Sequence, residues 1–128
     1  MDKLLFVGVG GALGSVARYL TNIQMGRLAG SNAPWAGTMT VNLVGGFLMG
    51  ALVGYLAHRG GADQERWRLL LGVGLLGGYT TFSAFSLDTA FLIERRNFAE
   101  AAAYMAGSVG LSVAALFVGL FAARRLFA

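Results

Sequence analysis

The chain has 128 residues, of which 56% are hydrophobic and only 12% are charged, with no cysteine and a formal charge of +4 at pH 7. A soluble domain usually carries about 25% charged residues, so these charges are too few to cover a water-facing surface. The ten Lys and Arg residues are scattered between apolar blocks, which argues against nucleic-acid binding, and the lack of cysteine excludes a disulfide framework. We expect a single domain over residues 1–128.

Apolar runs long enough to cross a membrane follow one another along the chain. They are Leu4–Ile23, Ala36–Ala57, Trp67–Ile93 and Glu100–Ala123. None shows a polar face at a period of 3.6 residues, and the three later runs argue against a cleaved signal peptide. The sequence therefore predicts an all-α membrane protein with four transmembrane helices. Gly46, Gly50 and Gly54, spaced four apart, predict close helix packing in the second run.

The basic residues bias the orientation only weakly. With four spans, one side of the membrane holds six of them (Lys3, Arg59, Arg66, Arg68, Arg124 and Arg125) and the other holds four (Arg18, Arg27, Arg95 and Arg96). The positive-inside rule sets orientation from this imbalance. Two interpretations stay open: a protein with a cytoplasmic N-terminus, or a chain that inserts both ways and pairs antiparallel.

Residues for catalysis are not visible in the sequence. Gly72-Val-Gly74-Leu-Leu-Gly77 matches the GxGxxG pattern, but its flanks are membrane-span material with no room for a βαβ unit. His58 is the only histidine, and no cluster of His, Asp and Glu suggests a metal or a catalytic pair. We therefore predict that the protein is not an enzyme.

The third run contains helix breakers near its centre, in the stretch "LLGGYTTFSAFS". As one helix the run would measure about 40 Å, against a hydrocarbon core of about 30 Å. Gly77 and Gly78 favour a break, and Thr80 and Thr81 can satisfy freed backbone groups; the alternative is an intact, tilted helix. A break exposes carbonyls that can hold a cation and N–H groups that favour an anion. Since discontinuous helices build ion sites in transporters, we interpret this stretch, with its hydroxyl groups, as an ion site.

Other polar and aromatic residues inside the spans extend this interpretation. Asn42 offers two amide N–H donors, and the positive edges of Phe82 and Phe85 can face an anion. Tyr104, Ser108 and Ser112 recur every four residues and form a hydroxyl stripe on the fourth helix. Ordinary helix packing would also explain the Phe pair and the stripe. An anion path here would use neutral donors.

Four segments of the chain resemble the Fluc (CrcB-type) family of bacterial fluoride channels: "GGALGSVARY", "GTMTVNLVGGFLMG", "GLLGGYTTFSAFS" and "YMAGSVGLS". The resemblance touches all four spans. It implies an antiparallel, dual-topology homodimer with two fluoride pores, in the bacterial inner membrane, that lets toxic fluoride leave the cytoplasm. From the breakers in the third run we expect its third helix to be broken at the membrane midplane.

The resemblance also implies roles for particular residues. The fluoride path would be lined by Asn42, Phe82 and Phe85, with hydroxyl groups from Ser83, Tyr104, Ser108 and Ser112. One structural Na⁺ per dimer would be held by main-chain carbonyls of Gly77 and Thr80 from both subunits.

Two positions depart from the family pattern. Ala84 replaces a common Thr, which removes one hydroxyl, and Asp88 stands where Glu is frequent. Two other functions remain as alternatives: a small dual-topology, proton-coupled exporter of cationic compounds, or a non-transporting membrane assembly subunit. The exporter needs a membrane-embedded carboxylate in the first helix, and the only buried charge expected in that run is Arg18.

Overall fold

The structure is a computed structural model of one chain, and it describes residues 2–59 and 61–127. Its α-helices are α1 (Asp2–Ala29), α2 (Ala36–Arg59), α3 (Gln64–Trp67), α4 (Gly77–Tyr79), α5 (Ser83–Glu94) and α6 (Phe98–Phe127). A π-helix over Arg68–Leu76 joins α3 to α4, and 3-10 turns at Gly30–Asn32 and Gly61–Asp63 precede α2 and α3. Every regular element in this part of the chain is helical, which confirms the predicted all-α class.

Within the described residues, four helical stretches are long and apolar enough to cross a membrane: Asp2–Ala29, Ala36–Arg59, Gly61–Glu94 and Phe98–Phe127. Each contains the whole of one predicted apolar run, and three of the four extend beyond it at both ends, because helices continue past the hydrocarbon core. Only 11% to 28% of the most apolar window of each stretch is buried inside the protein. The outward-facing apolar side chains suit contact with lipid, so the protein is a multi-pass membrane protein.

Close contact between α2 and α6 depends on glycine. A Cβ atom added at Gly50 would overlap the carbonyl oxygen of Leu116, and one at Gly119 would overlap the carbonyl oxygen of Phe47. Small residues allow helix backbones to approach in lipid, where dispersion contacts rather than the hydrophobic effect hold helices together. The predicted role of Gly50 in helix packing is confirmed.

Glycines also allow α1 to pack closely against the third span. Gly10 and Gly14 lie against backbone atoms of Leu70 and Leu75 in the π-helix, leaving no room for a Cβ atom at either glycine. The π-helix was not predicted. Its wider turns begin at Arg68 and end where Gly77 donates its N–H to the carbonyl oxygens of Gly72 and Gly74.

The third span changes conformation between α4 and α5. Helix α4 ends at Tyr79, Thr80 is extended at φ −83° and ψ 159°, and α5 begins at Ser83. Gly77 and Gly78, the expected breakers, are themselves helical. The backbone of Gly78 packs on Gly11, and an added Cβ would lie 2.6 Å from the Gly11 carbonyl oxygen. The close approach of α1, rather than a break in the helix, explains the glycine at position 78.

Candidate ion path beside the third span

A groove of about 520 Å³ lies beside the non-helical residues Thr80–Phe82. It brings together five of the predicted path residues: Asn42, Phe82, Phe85, Ser108 and Ser112. It also includes Gly77 and Thr80, the two residues whose main-chain carbonyls were predicted to bind Na⁺. Ser83 instead lines a neighbouring cavity with Arg18 and Asn22. Tyr104 is buried behind the groove, at 3% exposure. The groove thus joins residues from α2, the third span and α6.

Asn42 has a structural task that the sequence did not reveal. Its side-chain Nδ2 donates to the carbonyl oxygen of Thr81 at 2.9 Å, and its Oδ1 accepts the Thr81 backbone N–H at 2.8 Å. The amide therefore satisfies two backbone groups that lack helical partners. Because Nδ2 carries two hydrogens, one N–H remains for a ligand in the groove.

Thr81, which the sequence predicted only as a residue that satisfies freed backbone groups, has that role at the start of α5. Its hydroxyl oxygen accepts the Ala84 backbone N–H at 3.2 Å and lies 3.2 Å from the hydroxyl oxygen of Ser83. This is the arrangement of a Thr that satisfies the first N–H groups of a helix. The contact agrees with the expectation that Thr81 satisfies a freed backbone group, and a Thr just ahead of an apolar helix is the sequence signal for this role.

The two phenylalanines differ sharply in environment. Their ring centroids are 5.5 Å apart, yet Phe82 is 76% exposed and Phe85 only 9%. Phe85 packs at 5.1 Å from the Tyr104 ring, within a cluster that includes Leu92 and Ala101. Phe85 is therefore part of the core as well as of the groove wall, while Phe82 projects from the surface of the single chain.

The hydroxyl stripe of α6 divides into two parts. Ser108 and Ser112 line the groove. Their hydroxyl oxygens are buried and have no hydrogen-bond partner in the part of the chain that the structure describes. Tyr104 instead donates its O–H to Asp88 Oδ2 at 3.2 Å. Since a buried polar atom without a partner costs about 1–3 kcal/mol, the two serines are available to a polar ligand.

Asp88 does not line the groove. It borders a separate cavity of about 260 Å³ with Asn22, Thr38 and Ala84, where it accepts the Tyr104 hydroxyl. A carboxylate at the wall of the groove would repel an anion. The position of Asp88 keeps this charge behind Tyr104.

The carbonyl oxygens of Gly77 and Thr80 lose the donors that a continuous α-helix would provide. In such a helix the N–H of Thr81 would donate to Gly77 and that of Ala84 to Thr80. Here the Thr81 N–H donates to Asn42 Oδ1 and the Ala84 N–H to the Thr81 hydroxyl. Both residues also border the groove. Carbonyl oxygens without helical donors are chemically suited to a cation that prefers oxygen ligands.

Side-chain metal ligands are scarce around these carbonyls. Across residues 2–59 and 61–127, no three His, Asp or Glu side chains lie close enough together to hold a metal ion. A cation in this region would rely on main-chain oxygens.

The fold and the groove define a small polytopic membrane protein with a groove between α2, the third span and α6 that includes several polar residues. Residues 5–120 match the family described as CrcB-like protein, Camphor Resistance (CrcB). The chain therefore belongs to the CrcB-like family.

Several relatives match along nearly their whole length. The chain is 64% identical over 127 residues to "Fluoride-specific ion channel FluC" of Caulobacter sp. (strain K31), covering 99% of this chain and 98% of that protein. It is 62% identical to the protein of that name from Phenylobacterium zucineum (strain HLK1), covering both chains completely. Identity to the protein of the same name from Caulobacter vibrioides (strain NA1000 / CB15N) is 57%, again over both full lengths.

Proposed function

We propose that this protein is a fluoride-selective channel through which toxic fluoride leaves the cytoplasm across the bacterial inner membrane. Relatives that are 57% to 64% identical over nearly the full chain carry the name of a fluoride-specific ion channel. Conduction through a groove lined by neutral groups makes the protein a transporter of ions rather than an enzyme.

The observation that carries the proposal is the pair of buried, unpartnered hydroxyls of Ser108 and Ser112. Fluoride is a small anion that holds its hydration water tightly, so a path must replace that water with several donors. Hydroxyl groups rotate to donate, and the free N–H of Asn42 and the ring edges of Phe82 and Phe85 add weak positive charge. None of these groups carries a full charge, which would hold the ion too tightly to release it.

A second copy of the chain completes the groove in this proposal. Phe82 is 76% exposed although it borders the groove, and a single chain leaves the groove open on that side. A partner would cover this ring and close the path. The near balance of basic residues between the two sides, six against four, supports an antiparallel pair formed by chains that insert in both orientations.

A structural Na⁺ fits the centre of such a dimer. The change of conformation at Thr80 lies in the middle of the third span and would fall near the membrane midplane. Gly77 and Thr80 of each chain would contribute main-chain carbonyl oxygens that have lost their helical donors. Converging oxygens repel one another, and a monovalent cation stabilises them without needing a carboxylate.

Efflux from liposomes that contain only this purified protein tests the channel function. Fluoride-loaded vesicles should release fluoride rapidly, whereas chloride-loaded vesicles with the same protein should retain chloride. Protein-dependent release of an organic cation driven by a proton gradient would instead indicate an exporter. If the vesicles retained every solute tested, the protein would instead be a non-transporting assembly subunit.

A further inference from the structure

Trp35 lies outside the groove, in the connection just before α2, but it contacts the residues behind the groove wall. Its indole Nε1 donates to Glu100 Oε1 at 2.8 Å. Its ring centroid is 5.4 Å from that of Tyr104. The side chain is half-buried and packs, together with Met39, against the cluster formed by Phe85, Leu92, Ala101 and Tyr104.

These contacts form a continuous row of aromatic rings from the α1–α2 connection to the groove. The successive centroid distances are 5.4 Å from Trp35 to Tyr104, 5.1 Å from Tyr104 to Phe85 and 5.5 Å from Phe85 to Phe82. Each lies within the range at which aromatic pairs attract through edge and face contacts. The orientation of each ring therefore depends on its neighbour.

Tyr104 is the member of the row that is held from two directions. Its hydroxyl donates to Asp88, while its ring rests between Trp35 and Phe85. Trp35 is fixed in turn by Glu100, which lies one helical turn before Tyr104 on α6. If the indole rotated away, the face of Tyr104 would lose its support and Phe85 could reorient.

We propose that Trp35, held by Glu100, is a positioning residue that sets the orientation of Tyr104 and thereby of Phe85 in the ion path. This inference rests on the proposed channel function. A tryptophan near a helix end is often only an anchor in the lipid headgroup region. An anchor donates its N–H to water or lipid, whereas this N–H is used by a side chain of α6.

Fluorescence tests the local contact without any transport measurement. The chain has two tryptophans, so Trp67→Phe leaves Trp35 as the sole indole. In that background Glu100→Leu should shift the emission to longer wavelength and raise its quenching by acrylamide, because the indole loses its acceptor and meets water. Glu100→Gln keeps a side-chain carbonyl oxygen as acceptor and should leave both readouts unchanged.

Fluoride efflux then tests the effect on the path. Trp35→Phe and Glu100→Leu should each lower the efflux rate roughly ten-fold, as expected from the loss of one partly buried hydrogen bond. The double variant should be no slower than either single variant, because both remove the same contact. Glu100→Gln should conduct normally, as should the matched control Glu94→Gln, which removes a charge at an exposed position.

Each other outcome overturns the inference. Normal efflux in Trp35→Phe and Glu100→Leu would make Trp35 a membrane anchor. Equal effects of Glu100→Gln and Glu100→Leu would assign the role to the charge of Glu100 instead of its hydrogen bond. Additive losses in the double variant would show independent roles. Failure of the unmodified protein to release fluoride would instead contradict the proposed function, while the fluorescence result would still test the contact.

Discussion

The side chain of Asn42 and the backbone of Thr81 exchange two hydrogen bonds, of 2.9 and 2.8 Å, across 39 residues of sequence. The same pairing satisfies the non-helical backbone and removes the helical donor from the carbonyl of Gly77. Asn42 is also one of the residues that line the groove. A single side chain thus connects the geometry of the third span to the chemistry of the proposed ion path.

Asn42→Asp should therefore impair both stability and transport. An aspartate can still accept the Thr81 N–H, but its carboxylate faces the Thr81 carbonyl oxygen in place of a donor. The loss of this hydrogen bond should cost about 1–3 kcal/mol, and the added negative charge should abolish fluoride efflux. Thermal unfolding in detergent and efflux from liposomes measure the two effects. Asn97→Asp, at an exposed position between α5 and α6, should change neither.

Replacing the phenylalanines separates packing from conduction. Phe85→Ile removes part of a buried side chain and should cost about 1–3 kcal/mol of stability in addition to slowing efflux. Phe82→Ile should slow efflux roughly ten-fold, equivalent to about 1.4 kcal/mol of lost ring–ion interaction, with little change in the stability of the single chain. Unfolding and efflux measured on both variants provide the comparison. Normal efflux in both variants would show that the two rings only pack and do not contribute to conduction.

Gly50→Ala should weaken the contact between α2 and α6. The added Cβ would overlap the carbonyl oxygen of Leu116, and relief of such overlap costs about 1–3 kcal/mol. Gly110→Ala is the matched control on α6, since a Cβ there meets no atom within 4 Å and should favour the helix slightly. A lower unfolding temperature for Gly110→Ala than for Gly50→Ala would contradict this account of the interface.

The proposed Na⁺ site gives different expectations for adjacent glycines. A Cβ at Gly77 would meet only the carbonyl oxygen of Gly72, at 3.5 Å, so Gly77→Ala should leave the fold of the single chain intact. Its side chain would instead crowd the proposed ion and partner subunit, so dimers should dissociate more readily in size-exclusion chromatography. Gly78→Ala should destabilise the chain itself, because its Cβ would lie 2.6 Å from the Gly11 carbonyl oxygen.

Removal of Na⁺ tests the same site without a mutation. Exhaustive exchange of Na⁺ for N-methylglucamine should abolish fluoride efflux or loosen the dimer, because a large organic cation cannot fit among four carbonyl oxygens. Return of Na⁺ should restore both. Full efflux in the absence of Na⁺ would rule out a structural role for the ion.

Topology is tested by labelling the C-terminal end. A cysteine introduced at Phe127 should react with a membrane-impermeant reagent from both sides of the membrane in comparable amounts. Labelling from the cytoplasmic side alone would contradict the antiparallel pair. Moving one or two Arg residues between loops should force one orientation and lower efflux, because antiparallel partners would become scarce.

The length and polarity of the apolar runs were enough to predict four spanning helices, because a helix must satisfy its own backbone in lipid and needs about 20 apolar residues to cross it. The glycine spacing in the second run also predicted close packing, since the four-residue period places Gly46, Gly50 and Gly54 along one face of a helix. Both inferences depend on local sequence alone.

The partners of the polar groups depended on residues far apart in the chain. Only the fold pairs Asn42 with Thr81, turns the Tyr104 hydroxyl toward Asp88 and places Ser83 outside the groove while Ser108 and Ser112 line it. Spacing on α6 assigned all three hydroxyls to one stripe, but the α5 side chains that meet this stripe decide which of them are already bonded. Likewise, the sequence predicted Gly78 to be a helix breaker, whereas in the fold this glycine packs against the backbone of Gly11. Such assignments require tertiary contacts, because a polar group's role depends on which neighbour satisfies it.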